Sequence, residues 1–344
     1  MALPNFSRRN VLQIGAGLAA TLAMPALITS RTLAQSGTKT INMQLGWLGG
    51  GNQLGEVVAK HLGYFEEQGL NFAIQPGGPN NDGVAIVASG QYEIGQVSSS
   101  PSLMLAASHG IPVKAFAVCA QQHPYAYFSL AAKPIAKPKD MIGKKIGIQA
   151  TGRPLLSALL KVNKIAESDV EVVVIGSDMT PVLTGQVDAI AGWVTNTTAL
   201  APLGPDVVTL KLWDNGVQLY ANPYYTTADT LASKGDLLAA FLKASGKGWE
   251  YANANPEAAV DLLIKEFPNL VKKDELAAAP VMLKHVFTAA TKKSGWGTFD
   301  PAIWDSQIKL YSQLGQFSAG TPALDAVETT AVLDATADSR PKIG

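Results

Sequence analysis

The chain has 344 residues, with 27 Lys plus Arg against 27 Asp plus Glu, four His and one Cys, so its formal net charge at neutral pH is zero. That balance implies no basic surface for nucleic acid, and a single cysteine rules out an intrachain disulfide. Apolar residues make up 47% of the chain, enough for one large or two medium lobes with well-buried cores.

Taken in chain order, the first feature is a polar stretch, SRRNVLQ, starting at Ser7, followed by an apolar run over residues 14–27. The run is shorter than the roughly 20 residues a spanning helix needs. Arg8 and Arg9 in front of a Gly/Ala-rich core suit a twin-arginine export signal better than an uncleaved anchor. The small-residue site TLA predicts cleavage between Ala34 and Gln35, so residues 1–34 are kept out of the fold. The expected product is a soluble periplasmic protein. With Arg8, Arg9 and Arg31 removed, its net charge becomes 24 − 27 = −3.

Short strand-like stretches then alternate with helical ones: TINMQLGW before LGEVVAKHLGYFEEQ, LNFAIQP before NDGVAIVASG, and YEIGQVS before SPSLMLAASHG. The pattern restarts with KKIGIQATG and a helix over 154–164, then VEVVVIG with a helix over 179–184, then AIAGWV with a turn at TNTTAL. Such alternation predicts parallel sheet covered by helices, and its repetition predicts two similar βαβαβ lobes. VASGQYE (from Val87) and VLTGQVD (from Val182) share V-x-x-G-Q-x-acid, and each leads through a strand into a hydroxyl-rich loop. The single cysteine, Cys119 in VKAFAVCA, is expected to be a small buried hydrophobe.

From about Ala228 the chain reads as helical. Leu238, Phe241, Leu242, Ser245 and Trp249 recur at helical spacing and predict a buried stripe. Asn255 followed by Pro256 predicts an N-cap and first helical position. This third of the chain is expected to pack and brace.

Catalytic and metal signatures are thin. The histidines (His61, His109, His123, His285) form no HExxH and no pair at metal-ligand spacing, and neither a GxSxG elbow nor a P-loop is present. Open parallel sheets bind ligands at the carboxyl ends of their strands, so the loops after the strands form the candidate site. There Trp47 offers a flat face, with Gly49, Gly50 and Gly51 letting a ligand approach the backbone and Asn52 beside them. Ser98, Ser99 and Ser100 in one lobe, and Thr195, Asn196 and Thr197 in the other, supply hydroxyls and an amide. Thr151, Gly152 and Arg153 open a helix whose backbone N–H groups favour an anion or carbonyl oxygen. Trp193 is a second aromatic at a strand end, and Tyr224 and Tyr225 are expected where the chain returns between lobes. A binding site without catalytic residues, metal or cofactor is the reading these residues support.

Four blocks carry a resemblance: GYFEEQGLNFAI, ASGQYEIGQVSSSP, KPKDMIGKKIGIQ and WEYANANPEAAVDLL. In this order they resemble periplasmic solute-binding proteins of ABC transporters, in the superfamily joining sulfonate- and nitrate-binding proteins to thiamine-pyrimidine-synthase-like proteins. The resemblance implies an α/β type II periplasmic-binding fold with two lobes, a cleft and a C-terminal helical region. It further implies two crossings, near residues 121–125 with Gln122 at the cleft and near residues 221–226. Lobe 1 would comprise 35–122 and 228–344, and lobe 2 would comprise 123–227. The implied partners are a small ligand and the permease and ATPase subunits of an importer at the inner membrane, the binding protein itself being monomeric. The expected ligand is an aromatic heterocycle of the thiamine-pyrimidine or nucleobase kind. A small anion such as an alkanesulfonate or nitrate is the alternative, and Arg153 is its motive. Synthase relatives use a histidine as substrate in the loop after the SGxxD strand. Pro101 stands about there in this chain, and one cysteine cannot supply their Cys-rich motif, so synthase chemistry is disfavoured.

Overall fold

The computed structural model describes residues 38–344 apart from 79, 80 and 177, so the expected export signal at 1–34 and its cleavage site lie outside the described residues. Ten strands build two five-stranded sheets. In the first, β1 (Lys39–Leu45), β2 (Leu70–Gln75) and β3 (Ile94–Gln96) are parallel, with β1 in the middle. β4 (Val113–Ala120) completes its far edge, the chain then enters the second sheet as β5 (Tyr125–Ser129), and β6 (Lys145–Ile148), β7 (Glu171–Val174), β8 (Ala189–Trp193) and β9 (Val208–Lys211) follow there. The chain returns as β10 (Ala221–Thr227), which lies between β3 and β4 and runs antiparallel to both.

The two sheets have one plan, β2-β1-β3-β10-β4 and β7-β6-β8-β5-β9. In each, a parallel trio meets a strand that has just crossed from the other sheet, β10 in the first and β5 in the second. The expected duplication is therefore present, but the sheets are mixed rather than wholly parallel. The repeated V-x-x-G-Q-x-acid segment has a physical basis. Gly90 and Gly185 both adopt positive φ, 78° and 75°, a conformation that glycine takes at no steric cost. The acid three residues on then accepts a backbone N–H from the neighbouring strand: Asn42 N to Glu93 Oε2 and Lys145 N to Asp188 Oδ2, each at 2.9 Å.

Each strand length follows from its burial. In β1, Ile41, Met43 and Leu45 are buried at alternate positions, the period-two signature of a sheet face. VKAFAVCA forms β4 and is buried almost throughout, Cys119 included, as a strand covered on both faces must be. The predicted first helix divides into Leu54–His61 and Tyr64–Glu67 because Gly63 turns left-handed between them. In the helix Gly235–Ala254 the predicted stripe of Leu238, Phe241, Leu242, Ser245 and Trp249 is fully buried, each large apolar side chain contributing roughly 1.5–3 kcal/mol. Pro256 is the first residue of the helix Pro256–Glu266 and Asn255 the N-cap, as expected, but the Asn255 side chain does not do the capping. Its Nδ2 instead donates to Tyr251 O at 3.2 Å, closing the preceding helix.

The crossings differ from expectation at one end. The first falls at 121–124, as predicted, between β4 and β5. The second spans 212–220, and the residues expected to cross, 221–226, already belong to β10 in the first sheet. The boundary of the second lobe expected at 227 therefore moves back to about 220. The two crossings are tied where they pass, His123 N donating to Leu219 O at 2.9 Å. Among the described residues no helix is long and apolar enough to cross a membrane.

Candidate ligand-binding site

β1, β2 and β3 end on the same side of the first sheet, and β6, β7 and β8 do so in the second. Most of the predicted site residues follow these ends, while Gln122 lies on the first crossing and Tyr225 within β10, and they divide by what they do. β1 stops at Leu45, so Trp47 stands in the following bend, 53% exposed. Its glycine neighbours serve the protein's own packing: a Cβ on Gly49 would lie 2.5 Å from the Phe267 ring, and one on Gly51 would lie 2.9 Å from Glu275 Oε2. The expectation that they leave room for a ligand is corrected to that extent. Gly50 is extended backbone whose N–H donates to Gln53 Oε1 at 3.0 Å, and Asn52 is exposed.

The serine loop after β3 is similarly divided. Ser98 is exposed, and Ser99 Oγ is buried with no hydrogen-bond partner. Ser100 is fully buried, donating to Gln307 Oε1 at 2.6 Å and accepting from Tyr220 N at 3.2 Å. It fastens a C-terminal helix to the second crossing and has no group left for a ligand.

In the second sheet Trp193 ends β8, 39% exposed, and meets the Tyr125 ring edge-on with centroids 5.2 Å apart at 87°. Thr151 is exposed after β6, and Gly152 beside it lets the Tyr125 hydroxyl approach, since a Cβ there would collide with it. Asn196 caps the short helix Thr197–Leu200 through Ala199 N, while Thr197 Oγ1 is buried and unpartnered. Arg153 is half-exposed and ion-paired. Its guanidinium is bonded at 3.1 Å to Glu167, a carboxylate held below the usual range by Ser157 and Arg153. The cation that motivated an anion site is already engaged within its own sheet layer.

Tyr224 and Tyr225 are both fully buried in β10 rather than spanning between lobes. Tyr224 donates to the buried Glu56, which also accepts from Trp249 Nε1, and burial pushes the Glu56 carboxyl up to about 7. Tyr225 lies over Gly95, where any Cβ would collide with its ring, and its hydroxyl has no partner.

Sequence reasoning missed the groups that structure brings together most clearly. Gln53, buried at the start of the helix Leu54–His61, donates to Gln96 Oε1 at 2.5 Å, and Gln96 Nε2 is buried without a partner. In the second sheet Gln149 Nε2 donates to Gly176 O and Ala191 O, both at 3.3 Å, and its Oε1 is buried without a partner. His123, on the first crossing, is buried with Nδ1 unpartnered; burial and the neighbouring His285 bring its pKa down to about 4, so the ring is neutral at neutral pH. Gln122 beside it is half-buried. Gln53 and Gln96 carry no periodic or motif signal; only the position of Gln149 just after a strand could have found it.

Buried polar side chains in native proteins nearly always find a hydrogen-bond partner. Among the described residues the exceptions include Gln96, Ser99, His123, Tyr125, Gln149, Thr197 and Tyr225, drawn from the strand ends, crossings and crossing-derived strands of both sheets. The helix Lys272–Val286 reaches both the Gly51–Gln53 turn and the Thr197–Leu200 helix, so part of the C-terminal region expected only to brace stands beside the site. No group of three or more His, Cys, Asp or Glu among the described residues could hold a metal ion.

A chain with two sheets of this order, each completed by a strand from the other, has the periplasmic-binding-protein fold. The chain belongs to the NMT1/THI5-like family, whose model matches residues 51–259. It is 24% identical over 303 residues to the formylaminopyrimidine-binding protein of Halalkalibacterium halodurans, covering 85% of this chain and 90% of that one. It is 28% identical to the riboflavin-binding protein RibY of Chloroflexus aurantiacus, covering 64% of this chain and 65% of RibY. A third relative, at 24% identity over 69% of this chain and 77% of its own length, is the 4-amino-5-hydroxymethyl-2-methylpyrimidine phosphate synthase of Legionella pneumophila subsp. pneumophila. In fold, the chain matches the periplasmic aliphatic sulphonate binding protein SsuA of Escherichia coli with a TM-score of 0.61 at 16% identity, covering 83% of this chain and 96% of SsuA.

Proposed function

We propose that this protein is an exported substrate-binding component of an ABC importer that encloses a small aromatic heterocycle, pyrimidine-like, between its two lobes and delivers it to a membrane permease. The observation that carries this is the set of buried, unpartnered and neutral polar groups at the strand ends of both sheets, beside Trp47 and Trp193. Micromolar binding needs about 8 kcal/mol. One stacked ring adds roughly 0.5–1.5 kcal/mol beyond its burial and one hydrogen bond about 1 kcal/mol, so a distributed site closing from two sides is required.

Relatives named for a pyrimidine and for riboflavin favour a flat heterocycle. The anion alternative keeps support from the fold shared with a sulphonate-binding protein, but loses its free cation because Arg153 is paired. Binding without turnover is favoured over the synthase chemistry of the Legionella relative because Pro101 stands where the resemblance would put its histidine. Twin-arginine export, cleavage near Ala34 and a monomeric state belong to the same reading. Native mass spectrometry of the protein as purified, followed by thermal-shift screening of aminopyrimidines, flavins and alkanesulfonates, tests it. Stabilisation by sulfonates alone would sink the heterocycle, and recovery of a chemically altered ligand would sink the absence of catalysis.

A further inference from the structure

Gln96, which is buried, and Gln149, which is half-buried, have hydrogen-bond polarities that cannot be reversed. A backbone N–H can only donate, so Gly50 N, 3.0 Å from the Gln53 side chain, must face its oxygen. The Gln53 nitrogen therefore faces Gln96, at 2.5 Å, and must meet the Gln96 oxygen. That leaves Gln96 Nε2, buried and unpartnered, as a donor. Gln149 is oriented the opposite way by the same logic. Two carbonyls, Gly176 O and Ala191 O, can only accept, so they take its nitrogen, and Oε1 is left buried and unpartnered as an acceptor. Of the remaining unpartnered groups, Ser99, Thr197, Tyr125 and Tyr225 are hydroxyls that rotate to suit either role, and the neutral His123 ring takes either role by its tautomer. Polarity is therefore set by Gln96 in the first sheet and Gln149 in the second.

Resting on the heterocycle reading above, we infer that Gln96 and Gln149 are the specificity-determining pair, the first sheet presenting a donor and the second an acceptor to a neutral ligand that carries both. Gln53 is a positioning residue that fixes which way Gln96 points. The ligand class is then an amino-substituted or lactam-type heterocycle, offering a ring nitrogen or carbonyl oxygen to Gln96 and an N–H to Gln149. A sulfonate at neutral pH has acceptors only: it satisfies Gln96 but sets a negative oxygen against Gln149 Oε1. Leaving a buried acceptor unpaired is the costly outcome.

Isothermal titration of the full-length protein with three probes tests this: 4-amino-5-hydroxymethyl-2-methylpyrimidine, its analogue lacking the 4-amino group, and methanesulfonate. The amino compound is expected to bind roughly tenfold to hundredfold more tightly than the des-amino one, and that preference should collapse in Gln149→Met, which also gives up the bonds to Gly176 O and Ala191 O and melts lower for that reason. The comparison of ligands on the unaltered protein stands even where the variant is unstable. Equal binding of the two pyrimidines overturns the polarity and leaves the heterocycle reading intact. Binding of methanesulfonate in their place, or of none of the three, overturns the heterocycle reading and the polarity with it.

Discussion

Tyr125 and Trp193 meet edge to face, ring centroids 5.2 Å apart at 87°, and they come from antiparallel neighbours paired in register at the end of the second sheet. The contact packs Trp193 against the strand end and leaves it 39% exposed. Trp193→Ala is expected to lower heterocycle affinity at least tenfold while costing no more than about 1 kcal/mol of stability, because the residue is already 39% exposed. Calorimetric binding and urea unfolding of the same variant check both halves.

Trp47 has no such partner ring among the described aromatic pairs and is 53% exposed. Trp47→Ala should therefore leave the urea midpoint almost unchanged and weaken ligand binding by a comparable factor. An unchanged dissociation constant would remove Trp47 from the site.

Gly152 has no room for a side chain, the place of its missing Cβ being filled by the Tyr125 hydroxyl. Gly152→Ala must push Tyr125 aside and, through it, Trp193. Overpacking of this kind costs roughly 1–3 kcal/mol, so we expect a lower melting temperature together with weaker binding; Tyr125→Phe in the same background should restore part of the stability by removing the colliding oxygen.

Arg153 and Glu167 form an exposed pair, 3.1 Å apart with side chains 55% and 50% accessible. Such pairs contribute between zero and about 1 kcal/mol. Arg153→Ala should change stability by less than that and leave affinity within twofold; a tenfold loss, with a sulfonate or any other ligand, would show that the guanidinium reaches the cleft.

Glu56 gives the fold a pH dependence. Burial raises its carboxyl from 4.5 to about 7, so the folded state holds the proton more tightly than the unfolded chain. Stability from this group is complete below pH 4.5 and is lost as pH rises to about 7, with an amplitude on the order of 3 kcal/mol. His123, lowered by burial from 6.5 to about 4, works in the opposite sense over part of this range, so the Glu56 contribution is read by difference: between pH 5 and pH 7 the urea midpoint of Glu56→Gln should rise relative to that of the unaltered protein. An identical slope in the variant would place the titration elsewhere.

The sequence by itself determined the parallel trios, the helical tail and the duplication. Strand and helix periodicity are local, and the glycine of each V-x-x-G-Q repeat carries its own left-handed turn. It also pointed to the strand ends as the candidate site, the general expectation for parallel sheet. Which of the residues there keep an unpaired polar group was decided only in three dimensions. Ser100 and Arg153 look available in sequence, yet one is consumed by Gln307 and the other by Glu167, partners 207 and 14 residues away. Tyr225 became core because β10 inserts between β3 and β4, a placement that no local pattern encodes. Conversely, Gln96 and Gln149 became candidates only because tertiary contacts satisfy one end of each amide and leave the other unpaired, Nε2 of Gln96 in one sheet and Oε1 of Gln149 in the other. Hydrogen-bond satisfaction is a property of the folded surroundings, and the chain carries it in no single stretch of residues.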